Sequence, residues 1–148
     1  MDPDTSISIT IKHLANQLTR YLTTQAMLGQ KMIKLGEFTE VQGHIIHFLA
    51  EHMHEDVYQK DIEKYLNIRR STATVILQRM EKAGMLTREV CSDDGRMKKL
   101  ILTAKSKELH PQAKAELLNA EAQARKGISP EDLAVFFEVV EKITSNIS

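Results

Sequence analysis

Apolar residues recur along this chain first at helical spacing, then briefly at strand spacing, and then at helical spacing again. Ile7, Ile11, Leu14, Leu18, Tyr21 and Leu22 share one face of a helix that ends near Gly29. The stretch Leu28 to Phe38 holds two glycines and reads as a loop. Thr39 with Gln42 forms a capping-box pattern that opens a second helix bearing Val41, Ile45, Ile46, Phe48, Leu49 and Met53. A short third helix over Gln59 to Leu66 turns Ile62 and Leu66 inward and breaks at Asn67, a residue that tolerates turn conformations. A fourth runs from Arg69 or Ser71 to Ala83 with Ala73, Ile76, Leu77 and Met80 inward, and Gly84 stops it. Leu86 to Val90 and Lys98 to Leu102 then read as strands flanking the turn Ser92-Asp93-Asp94-Gly95. From Thr103 a helix runs to about Lys126, with Pro111 predicted to kink or restart it. Ser129, Pro130 and Asp132 supply the cap, first-turn proline and acidic start of a last helix carrying Leu133, Phe136, Phe137, Val140, Ile143 and Ile147.

The predicted class is mainly α with a small β-hairpin. A short helix, a tight turn, a second helix and a basic hairpin follow one another in the order of a winged helix-turn-helix. The expected division is a winged domain over 39–102 and a helical association region formed by 1–28 and 103–148.

Charge changes the picture only when it is read by position. The 148 residues carry no net charge, yet 69–99 has an excess of four positive charges while 1–56 is net negative by three. That basic stretch puts Arg69, Arg70, Ser71, Thr72 and Thr74 at the start of the fourth helix and Gln78 one turn further on. An α-helix fits the major groove of B-DNA, where guanidinium and hydroxyl groups reach base edges, and helix N-terminal amides attract phosphate. Arg96 beside Asp94 and Gly95 at the hairpin suits insertion into a narrow minor groove, with Lys98 and Lys99 on the flanking backbone. Double-stranded DNA is therefore the expected partner.

The run from Asp61 to Thr74, Met80-Glu81-Lys82-Ala83-Gly84-Met85-Leu86, the wing Asp94-Gly95-Arg96-Met97-Lys98 and its Leu102-Thr103 exit resemble the MarR family of bacterial transcription regulators. The resemblance implies a homodimer, in which the first, fifth and sixth helices of two chains interdigitate and each winged domain reads half of an inverted repeat. It places base readout on Arg70, Ser71, Thr72, Thr74 and Gln78 and wing contact on Arg96, steadied by Asp94. Repression and release by a small-molecule effector are the expected mode of action, with His13, Tyr21 and His47 as pocket candidates. Tyr58 and Glu63 stand where the family often has Thr and Ala, and Ser106 where a Gly often follows the Leu-Thr pair; these departures are expected to bear on capping and packing rather than on the groove.

Other chemistries have weaker support. His44 and His47 lie at i,i+3 on the second helix, with His52 and His54 beyond it, and make a zinc-responsive regulator an alternative. Surface or interfacial histidines are the preferred reading, so no metal and no cofactor are expected. The single cysteine, Cys91, excludes an internal disulfide and reads as a packing or semi-exposed wing residue. No phosphate loop, nucleophile elbow or His-Glu-x-x-His motif points to an enzyme. A winged domain used only for protein contacts is the other alternative. With no apolar run approaching the roughly 20 residues of a membrane span and an acidic start at Asp2 and Asp4, a cytoplasmic, membrane-free protein is expected.

Overall fold

The computed structural model describes residues 6–28, 39–91 and 94–148. The loop expected over Leu28 to Phe38, apart from Leu28 itself, the Ser92-Asp93 tip and the side chain of Asp94 lie outside the described residues. The elements in order are α1 (Ile7–Leu28), α2 (Glu40–Glu51), α3 (Gln59–Leu66), α4 (Arg70–Lys82), β1 (Leu86–Cys91), β2 (Asp94–Leu102), α5 (Ala104–Arg125) and α6 (Pro130–Ile147). They form two compact units, Met1–Leu117 and Leu118–Ser148.

The core of the first unit is built from every element between α2 and β2. Ile45, Ile46 and Leu49 of α2 meet Val57, Ile62 of α3, Leu77 and Met80 of α4, and Met85, Leu86, Leu100 and Leu102 of the hairpin. Leu77 and Ile62 are fully buried, so truncating either removes transfer energy and leaves a cavity, at roughly 2–5 kcal/mol.

Each boundary has a local cause. Thr39 and Gln42 close the capping box in both directions: the Gln42 amide donates to Thr39 Oγ1 at 3.3 Å and the Thr39 amide to Gln42 Oε1 at 3.1 Å. Tyr58 at the start of α3 keeps the return half, its amide donating to Asp61 Oδ2 at 2.8 Å. Asn67 takes the left-handed conformation, φ 50°, and lets Ile68 N–H bond back to Glu63 O. Gly84, at φ +72°, lets the Met85 amide reach Met80 O and its own amide reach Glu81 O, the paired reverse bonds of a Schellman motif.

The hairpin is antiparallel, in register from Leu86 opposite Leu102 to Val90 opposite Lys98, with a shift between Val90 and Cys91. It is longer than the side-chain pattern predicts. Beyond the register shift, Cys91 lies opposite Asp94. The Leu100 amide also donates to Val57 O at 2.8 Å, fastening β2 to the chain before α3.

At its start α5 folds back onto the Gly84 turn. Thr103 Oγ1 donates to Gly84 O at 2.7 Å, and Ser106, fully buried, donates to Met85 O at 2.6 Å. Ser106 thus satisfies a carbonyl that glycine at that position would leave to another donor. Pro111 lies inside α5, and the helix continues through it as one element instead of restarting.

The second unit comprises the last turns of α5 and α6. Ser129 Oγ accepts the Asp132 amide at 3.1 Å and Pro130 occupies the first turn, as predicted. α6 buries none of its residues within the single chain. No described helix is long and apolar enough to cross a membrane.

Two substitutions separate backbone strain from packing. A Cβ at Gly84 meets no atom within 4 Å, so Gly84→Ala should cost only the left-handed penalty, about 1–2 kcal/mol. Leu77→Ala should cost about 2–5 kcal/mol. Urea denaturation of the two variants against the parent checks the order.

Candidate nucleic-acid interface

α4 is two-faced because its inward residues are spaced for the core. Ala73, Leu77 and Met80 are buried, which leaves Ser71, Thr72, Gln78 and Arg79 exposed on the other side. Val75 lies among them, 47% exposed. An apolar side chain on such a face has the chemistry to pack on a thymine methyl. Sequence periodicity could have flagged it, since Val75 is one turn from Ser71 and Thr72 and falls outside the inward set. Arg69, in extended conformation before the helix, gives no side-chain cap, so the first-turn amides of α4 remain open to an acceptor.

Between α3, the start of α4 and the hairpin runs a groove of about 540 Å³ lined by Tyr58, Gln59, Lys60, Glu63, Arg70, Arg88, Arg96, Met97 and Lys98. Five of these side chains are cationic and one is acidic, so the groove favours an anion. Arg70 and Arg96, 26 positions apart in the sequence, share it only because the hairpin folds back beside α4. Tyr58 and Glu63 also line it, so these departures touch the groove itself as well as the capping of α3.

Several side chains behave differently from the sequence reading. Thr74 is committed inside the protein: its hydroxyl accepts from Gln59 Nε2 at 2.9 Å and donates to Arg70 O at 2.8 Å. Gln59 also donates to Arg70 O at 3.3 Å, bracing α3 against the first turn of α4. Lys98 and Lys99 are neighbours on a strand and project to opposite faces. Lys98 is exposed and lines the groove, whereas Lys99 Nζ pairs with Asp56 Oδ1 at 3.0 Å, which raises its pKa. Arg88, read from sequence only as part of the basic stretch, contributes to the groove. Its Nε lies 3.2 Å from Glu81 Oε2 without hydrogen-bond alignment, leaving Nε and Nη2 buried and unmatched among the described residues. Cys91 Sγ lies 3.0 Å from the Tyr58 hydroxyl, and that contact, followed by burial, pushes the phenol pKa up to about 12. The cysteine thus helps hold the hairpin to the start of α3.

The pocket candidates are not gathered together. His13 and Tyr21 are exposed on α1, while His47 packs half-buried against His110. The second described cavity, about 170 Å³ and lined by Leu49, Val57, Lys99 and Leu102 among others, includes none of the three.

Comparison with known proteins places this arrangement. Residues 38–97 match the model of the MarR family. The chain is similar to the transcription regulator MarR from Oenococcus oeni PSU-1, at 28% identity over 95% of this chain and 99% of that one, with a TM-score of 0.79. It is also similar to heme-free PefR, at 27% identity over 98% and 99% with a TM-score of 0.71. The MepR of S. aureus, solved with DNA, shares the fold at 20% identity, 99% and 100% coverage and a TM-score of 0.82. A helix with a polar outer face beside a basic hairpin defines the winged helix class. The match to the MarR family of transcription regulators falls on this winged segment, residues 38–97.

The Gln59 brace can be tested without a ligand. Gln59→Ala should lower stability by about 1 kcal/mol, the net worth of such hydrogen bonds. Gln78→Ala on the exposed face should stay within about 0.5 kcal/mol. Chemical denaturation of both distinguishes them.

Proposed function

We propose that the protein binds duplex DNA as a homodimer at an inverted repeat and represses transcription there. The observation that carries this reading is the shared groove of Arg70, Arg96 and Lys98 beside the exposed face of α4. α4 enters the major groove with Ser71, Thr72, Val75 and Gln78 toward base edges, and Arg70 and Arg69 toward phosphate or guanine. The wing carries Arg96 to the adjacent minor groove, and Lys98 meets the sugar-phosphate backbone. Lys99 takes no direct part, since Asp56 neutralises it. Thr74 acts by positioning the helix start.

Homodimerisation is supported by apolar surface that one chain leaves in water. α1 exposes Ile7, Ile11, Leu14 and Leu18, and α6 exposes Val135, Phe136, Phe137, Val139 and Val140. Patches of this kind mark association sites, in keeping with an association region formed by 1–28 and 103–148. Two winged modules related by a twofold axis then read half-sites about one helical turn apart. Release by a small molecule would work by favouring a different spacing of the two recognition helices; His13, Tyr21 and His47 remain the pocket candidates.

Fluorescence anisotropy with the promoter region of the chain's own gene tests the interface. Arg70→Ala and Arg96→Ala should each weaken binding by about tenfold or more. Lys98→Ala should reduce the salt slope by about one, while Lys99→Ala leaves it unchanged. Parent-like affinity in both arginine variants would overturn the assignment. In sedimentation velocity, Phe137→Asp should shift the parent dimer toward monomer without lowering helix content; an unchanged dimer would remove α6 from the association surface.

A further inference from the structure

Away from the groove, α2 and α5 bring together two pairs of side chains, each one helical turn apart. His47 and Glu51 project from α2, His110 and Lys114 from α5. His47 Nδ1 lies 3.2 Å from His110 Nε2. Glu51 Oε1 is 4.0 Å from His47 Nδ1, 3.9 Å from His110 Nε2 and 2.9 Å from Lys114 Nζ. Both rings are partly withdrawn from water and stack at 5.5 Å between centroids.

We propose that His47, Glu51 and His110 form a site for a zinc-like divalent transition metal. The point equidistant from the three ligand atoms lies about 2.2 Å from each, close to the roughly 2.0–2.2 Å of Zn–N and Zn–O bonds. Two imidazoles and one carboxylate are the donor set of an open zinc position, with a fourth place for water. The Lys114 ammonium sits on the carboxylate oxygen that faces the two rings, so it competes with the ion for Glu51 and, being exposed, can swing away.

The other histidines of the second helix do not share this arrangement. His44 faces Glu40 at 3.6 Å, and His52 Nδ1 contacts Phe48 O at 2.7 Å while its ring stacks on Phe48. The metal set thus draws one histidine from α2 and one from α5, 63 positions apart. Coordinate bonds there replace a weak ion pair and stiffen the join by which α5 leaves the winged core. Metal occupancy then becomes an input to DNA affinity, a role that rests on the proposed DNA binding, whereas the site itself does not.

Metal binding is therefore measured without DNA. Calorimetric titration of the metal-free full chain with zinc sulfate should give one ion per chain, and cobalt(II) in its place should give visible absorption bands. His47→Ala and His110→Asn should weaken binding at least tenfold, with folding checked by circular dichroism. His44→Ala should leave it unchanged, and Lys114→Met should tighten it. Absence of binding in the parent, or parent-like affinity in both histidine variants, would overturn the site. An operator affinity indifferent to zinc, with calorimetry as expected, would retain the site and remove its regulatory role. Failure of the parent to bind any duplex would count against the DNA reading alone.

Discussion

The tight turn at Gly84 is the constraint on which the basic groove depends. It ends α4 with paired reverse hydrogen bonds and sends the chain into β1. Its two carbonyls, Gly84 and Met85, are then taken by the hydroxyls of Thr103 and Ser106 at the start of α5. One left-handed residue thereby joins the recognition helix, the hairpin and the following helix. Because buried carbonyls without donors are costly, the Thr and Ser hydroxyls hold the join closed. The Leu100 amide bond to Val57 O adds a second fastening from the other side of the hairpin. The wing therefore leaves the core at a fixed place relative to α4, and a groove between them exists.

Within that frame the surface chemistry follows from helix and strand periods. Burying Ala73, Leu77 and Met80 obliges α4 to show Ser71, Thr72, Val75 and Gln78 to solvent. The strand period separates Lys98 from Lys99 and gives one to the groove and the other to Asp56. A protein of zero net charge can carry a strongly cationic groove because its acidic excess lies elsewhere, 1–56 being net negative by three. Glu81 lies beside Arg88, and its imperfect alignment leaves two guanidinium nitrogens buried and unmatched among the described residues.

The exposed apolar faces and the histidine cluster lie on different elements from the groove. α1 and α6 expose apolar faces that a single chain does not cover, which is what dimerisation through these helices requires. The cluster sits where α5 meets α2, next to the join that Thr103 and Ser106 hold. A metal ion bound there would tie α5 to α2 by a separate set of bonds. This places a chemical input near the structural constraint without using any residue of the DNA-facing groove.

The linear order of residues was enough for the helices, the hairpin, the capping box at Thr39, the glycine stop at Gly84 and the basic character of 69–99, because each arises from neighbours within about one or two turns. It also sufficed for the family resemblance, carried by local motifs. Tertiary structure alone decided which polar side chains remain available: Thr74 is spent on Gln59, Lys99 on Asp56, and Arg88 and Tyr58 are brought to the groove. It alone set His47 beside His110, a pairing hidden in sequence because the residues are 63 positions apart on different helices. The reason is physical: periodicity reports which side of an element faces inward, whereas partners across elements depend on how packed helices and a folded-back ribbon meet in space.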